Sequence, residues 1–318
     1  MRSRRLRTAV SAVVAAVLLG AIAWYVWQNW SQFSEIRLTQ PWALGVAGVF
    51  VLANAYAIGS VTQAAIAPHG VDLARSELFG LAILTRFTNQ FLPSYVGATI
   101  RATYLKRAHD VTYAKFSSSF LVSNILQLVV TGVLAVLVLL LMGSDISLLG
   151  SFVVAGVAVA VVTVVMAFFP AKRLGERLAA SRPRGRLRRR VADRLADALT
   201  GYAVVRAEPR TFTSSLLWIL VAVTTSSVVY ICLYASLGQA QDIAGIVFVA
   251  IVAGWGVVLS LTPAGIGVRE GIMMISAGIV GLPIAPTVVV ALLMRIVTIV
   301  ATGLPSLYFG PRMIHRKD

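Results

Sequence analysis

Apolar residues run along this chain in long uninterrupted blocks, and the polar residues collect between them. Several blocks exceed the roughly 18 residues that mark a membrane-crossing helix. The pattern predicts spans at about 8–30, 42–67, 116–142, 148–170, 212–237, 243–261 and 286–309, with a shorter one ending near 280. Residues 78–104 break the rule. There Arg86, Asn89, Gln90, Pro93, Gly97 and Arg101 interrupt an otherwise apolar stretch. The expected fold is therefore all-α: a polytopic membrane bundle of about eight spans plus one re-entrant or broken helix, in a single domain over 1–318.

The first block starts basic and contains Ala21-Ile22-Ala23, features of a secretory signal with its cleavage site. It continues through Trp24, Tyr25 and Trp27, which read as an interfacial aromatic belt and favour an uncleaved anchor. Composition excludes the other classes. Of 318 residues, 58% are hydrophobic and 13% charged, against about 25% charged in a soluble domain.

The formal net charge of +16 suggests nucleic acid until its placement is considered. Twelve of the 28 basic residues lie between Lys172 and Arg210. Arg2, Arg4, Arg5 and Arg7 open the chain, and Arg312, Arg316 and Lys317 close it. Basic residues confined to loops and ends are the positive-inside pattern, so the expected partner is a membrane and not a nucleic acid. Both termini and the basic segment 171–210, which separates two membrane halves, are then cytoplasmic. The cluster from Arg182 to Arg190 could also hold anionic lipid headgroups. The single cysteine, Cys232, leaves no intramolecular disulfide framework.

Charges inside apolar blocks are costly, at about 2.5–3.5 kcal/mol each on insertion scales, and need a reason. Arg86, Arg269, Glu270 and Arg295 lie deep, Arg101 lies nearer an edge, and Glu270 is the one acid expected at depth. A surplus of guanidinium suits an anion, phosphate above all. Two Pro/Gly breaks reinforce this: Pro93 to Gly97, followed by Arg101, and Pro263 through Gly265 to Gly267, followed by Arg269. Ser94 and Thr262 could cap helices there, exposing N–H groups to an anion. The two stretches echo each other weakly. Such paired breaks point to a transporter's binding site, and so short a pattern also arises by chance.

A second role is open for the same residues, with Glu270 pairing one arginine and the others reaching the interface. Polar stripes at helical spacing occur at Arg86, Asn89, Gln90; at Ser117, Asn124, Gln127, Thr131; and at Thr287, Arg295, Thr298, Thr302. They serve either as interhelical hydrogen bonds or as cavity lining. Catalytic groupings are scarce: His69, His109 and His315 lie far apart, residues 68–77 read as a polar turn, and no phosphate-loop motif occurs. The expectation is no enzyme, no metal and no cofactor.

Arg86-Phe87-Thr88-Asn89-Gln90-Phe91-Leu92-Pro93 with Gly97 and Arg101 resembles the first motif of the lysylphosphatidylglycerol synthase transmembrane region family. Thr262-Pro263-Ala264-Gly265-Ile266-Gly267-Val268-Arg269-Glu270-Gly271, followed by Ala291 to Arg295, resembles its second, more specific one. The resemblance covers nearly the whole chain. Val96-Gly97-Ala98 lacks the acid the family commonly carries after the first proline, and Pro263-Ala264-Gly265 stands where it favours Pro-Gly-Gly. The resemblance implies a flippase-like membrane half without the soluble aminoacyl-transferase domain of bifunctional relatives. It would handle an anionic, phosphate-bearing lipid, either an aminoacylated phospholipid or a polyprenyl-phosphate-linked sugar, in the cytoplasmic membrane. Glu270 would fix Arg269 or take a cationic headgroup. Two other readings remain: a scaffold that docks an envelope-biosynthesis enzyme or self-associates, and a lipid-modifying transferase.

Overall fold

Eight principal helices follow from the apolar blocks and their punctuation. They are α1 (Trp42–Ile66), α2 (Arg75–Thr88), α3 (Ser94–His109), α4 (Tyr113–Leu141), α5 (Pro209–Ser236), α6 (Ile243–Leu259), α7 (Val268–Ile279) and α8 (Ile284–Ile314). A one-turn helix, Trp30–Ser34, precedes them. The computed structural model describes Gly20 and residues 24–92, 94–143, 208–259 and 266–314, with isolated positions between 173 and 196. Every regular element among the described residues is helical. Local signals set the starts: Thr112 accepts the Lys115 amide ahead of α4, and Pro209 occupies the first position of α5, where its missing N–H costs nothing.

Helices α1, α4, α5 and α8 are long and apolar enough to cross a membrane. Helices α2 and α3, of 14 and 16 residues, rise about 21–24 Å each and cannot cross a hydrocarbon core of about 30 Å alone. The same holds for α6 and α7, with 17 and 12 residues. The broken segment predicted at 78–104 is thus a pair of short helices, and a second pair occupies 243–279. Most of the predicted span at 8–30, all of the one at 148–170 and almost all of segment 171–210 lie outside the described residues.

The largest interface joins α1 to α5. They run antiparallel: the Thr39 amide donates to Ser236 O at 2.8 Å near one end, Asn54 Nδ2 donates to Ala222 O at 2.6 Å midway, and Tyr56 meets the Trp218 ring beyond. Small side chains on α1, Ala43, Ala47 and Ala55, are fully buried and let the backbones approach. Tyr230, Leu233 and Tyr234 of α5 complete this core with Met273 and Met294.

The remaining contacts obey one exchange. Swapping α1, α2, α3, α4 for α5, α6, α7, α8 turns the packing of α2 on α8 into that of α6 on α4, and α1 on α2 into α5 on α6. It likewise relates α3 on α4 to α7 on α8, and α1 on α8 to α5 on α4. Helix α4 starts beside the end of α1, where Phe116 packs with Ile66; α8 starts beside the end of α5, where Thr287 bonds Tyr234 at 2.7 Å. Because α1 and α5 are antiparallel, the two four-helix halves are inverted copies in arrangement. Leu137, Leu141, Leu217, Val300, Leu304 and Leu307 point outward, exposed, as residues facing lipid do.

Candidate functional site

The inverted arrangement brings the two short pairs in from opposite ends, and the end of α2, the last turns of α6 and the start of α7 border one space at Gln90, Gly256 and Arg269. A cavity of about 1020 Å³ opens there, walled by α1 to α7, with Met294 of α8 at its edge. Of the residues predicted from sequence, Arg86, Asn89, Gln90, Arg101 and Arg269 line it. The α4 stripe of Ser117, Asn124, Gln127 and Thr131 lines it too.

Each arginine is anchored by a neutral partner. Arg86 Nη1 donates to Asn54 Oδ1, and Asn54 is itself held by Ala222 O and, at 3.1 Å, by Thr225 Oγ1. Arg101, expected near an edge, is buried and donates from Nη1 to Thr62 Oγ1 at 2.6 Å. Arg269 Nη2 donates to the Tyr230 hydroxyl at 3.0 Å, while its buried Nε has no partner. Arg86 lies within electrostatic reach of Arg269. Among the described residues neither Arg86, Arg101 nor Arg269 forms an ion pair, and no Asp or Glu lines the cavity. Arg86 and Arg269 thus stand near each other without a salt-bridge partner, with Glu270 within electrostatic reach of Arg269 but bonded elsewhere.

Glu270 and Arg295 do not line the cavity; they satisfy each other beside it. Arg295 Nε donates to Glu270 Oε1 at 2.8 Å, and Nη2 stands 2.7 Å from the same oxygen. Glu270 Oε2 accepts the Gly267 amide at 2.7 Å, one half of a capping box on α7. Gly267 has φ 84°, a left-handed conformation that glycine adopts freely. Helix α7 therefore starts at Val268, with Gly267 as its cap. The structure answers the question left open for Glu270: its ion-pair partner is Arg295, and Arg269 is held by Tyr230.

Gly97 sits beneath the cavity. A Cβ there would collide with Asn89 and Thr85, so Gly97 sets how closely α3 approaches α2. The α8 stripe bonds away from the cavity: Thr287 bonds Tyr234 of α5, and Thr302 reaches Thr298 O within α8 at 2.6 Å. Pro93, Pro263 and Gly265, with Thr262, lie outside the described residues.

Sequence reasoning missed three supports, Asn54, Thr62 and Tyr230. The first two were visible as polar residues inside an apolar block. Tyr230 had no such signal, because tyrosine is common in spans. Sequence reasoning also placed Glu77 in a polar turn. It is instead buried in the first turn of α2, accepting the Tyr104 hydroxyl at 2.6 Å and bonded to His109. Glu270 is thus not the only buried acid.

Fold and site together define a polytopic α-helical membrane protein with a cationic cavity between two broken-helix pairs. The chain belongs to the lysylphosphatidylglycerol synthase TM region family, whose model matches residues 8–306. None of the curated proteins compared with it matches.

Proposed function

We propose that this protein binds an anionic, phosphate-bearing lipid with its phosphate among Arg86, Arg101 and Arg269, and carries that headgroup across the membrane without making or breaking bonds. The supporting observation is that these guanidiniums line one cavity whose described lining residues include no acid, and that none of the three forms a salt bridge. Buried positive charge without a counter-ion is costly, and a ligand phosphate supplies that counter-ion through charge-assisted hydrogen bonds. Arg269 Nε, buried and unpartnered, is a donor already in place.

Two inverted halves around one site suit alternating access, in which the halves rock and the site faces each side in turn. Arg75, Lys106, Arg107 and Lys115 flank the end of the bundle where α1 finishes. The positive-inside rule makes that end cytoplasmic, so in this reading α2 and α3 enter from the cytoplasm and α6 and α7 from the opposite face.

The test is headgroup translocation of a fluorescent phosphatidylglycerol in liposomes containing the purified protein. Wild type moves the lipid, and Arg269→Ala falls to the protein-free background while inserting normally. Wild-type movement by Arg269→Ala would sink the assignment.

A further inference from the structure

The cavity has a second set of polar groups, and an inference from them rests on the same reading and sharpens it. Besides the arginines, α4 presents Asn124 and Gln127 to the cavity, and the α2 tip adds Gln90. The amide groups of Gln90 and Gln127 bond no other described residue. Asn124 donates to Phe120 O at 2.7 Å, which leaves its oxygen available. Deeper along α4, Thr131 already accepts from Trp255 Nε1 at 2.9 Å, so the rim of amides and not the floor is free for a ligand.

The chemistry of this rim is selective. Carboxamides both donate and accept, which matches hydroxyl groups, and they provide no negative charge. A headgroup carrying an ammonium would need a carboxylate or an aromatic cage. The aromatic residues that line the cavity are already engaged: Phe116 and Phe120 stack on each other, Lys106 lies over the Tyr113 ring, and the Tyr230 hydroxyl holds Arg269. Neither buried acid is open to an ammonium. Glu270 uses Oε1 on Arg295 and Oε2 on the Gly267 amide, and Glu77 is engaged by Tyr104 and His109 away from the cavity.

We infer that the lipid's phosphate bears an uncharged, hydroxyl-rich group, such as glycerol or a sugar, and that aminoacylated headgroups are rejected. The rejection is electrostatic: an added ammonium meets the cavity's positive charge with no acid among the described lining residues to receive it. Asn124, Gln127 and Gln90 are the specificity residues, with the arginines common to every phosphate lipid.

The experiment measures binding to the purified full chain in detergent, by lipid-induced stabilisation against heat. Four lipids with identical acyl chains are compared: phosphatidylglycerol, its lysyl ester, phosphatidylethanolamine and phosphatidic acid. Phosphatidylglycerol binds at least about tenfold more tightly than its lysyl ester, the size of effect that like-charge juxtaposition gives. Replacing Asn124 and Gln127 together by Leu brings the ratio of phosphatidylglycerol to phosphatidic acid affinity towards one. Equal or tighter binding of the lysyl ester overturns the headgroup inference and leaves the phosphate reading standing, provided that Arg269→Ala still weakens both. Failure of every lipid to stabilise the protein overturns the two together. The wild-type comparison decides the matter even where the double variant does not fold.

Discussion

The two short-helix pairs bring arginine to one cavity, yet each keeps its buried acid in a different place. In the first pair, Glu77 lies in the opening turn of α2, at the outer end, bonded to Tyr104 and His109 of α3. It is far along the helix from Arg86, which is left with Asn54. In the second pair, Glu270 lies in the opening turn of α7, at the inner tip, and holds Arg295. Position within a re-entrant pair decides what an acid does. At the outer end it pins two helices to each other; at the tip it pairs with an arginine of the next helix beside the cavity. The outcome is one set of cations with an acid and one set without, separated by a few residues. The first set is paired within the protein, and in the proposed function the second takes the ligand.

The largest expected effect breaks the neutralised set. Glu270→Gln leaves Arg295 buried without its carboxylate, and removing one partner of a buried pair costs about 3–5 kcal/mol. Thermal unfolding in detergent reads this as a large fall in Tm, and adding Arg295→Met restores most of it. A Glu270→Gln protein as stable as wild type would erase the distinction between the two sets. Next comes the outer acid. Glu77→Gln keeps the shape but loses the charge that His109 and Tyr104 bond, for a cost of about 1–3 kcal/mol. Lipid selectivity should be unchanged, because Glu77 does not line the cavity. A changed preference between phosphatidylglycerol and its lysyl ester would show that the outer acid reaches the site after all. The smallest stability effect belongs to Arg101→Gln, which removes a cation with no acid and keeps a donor for Thr62. Stability should change by less than about 1 kcal/mol or rise, since a buried unpaired charge opposes folding. Phosphatidylglycerol affinity should fall, and a drop in Tm without any loss of affinity would return Arg101 to a structural role.

Much of this molecule was legible before any coordinate. Long apolar blocks with few charges can satisfy their backbone groups in lipid only as helices, so the class and the long helices α1, α4, α5 and α8 follow from block length alone. The 78–104 interruption announced a broken element, because Pro and Gly among polar residues cannot extend a span. The cost of burying a guanidinium marked Arg86 and Arg269 as residues with a purpose, and helical spacing put Asn124 and Gln127 on one face of α4.

Pairing was not legible. Whether Glu270 meets Arg269, its chain neighbour, or Arg295 on the next helix depends on which faces of α7 and α8 pack together. Consecutive residues on a helix point about 100° apart, so adjacency in sequence argues against a shared partner, and only packing chooses among the distant ones. The same holds for Glu77: its burial comes from α3 lying against α2, an approach that Gly97 permits through the side chain it lacks. The inverted relation of the halves was a faint echo around two prolines in sequence and became evident from packing, since helix order and direction tolerate nearly complete substitution of side chains. Sequence determined which residues had to leave water and at what cost. Tertiary structure decided which of them meet, because a charge is neutralised only by a group within a few ångströms, and chain order does not set that distance.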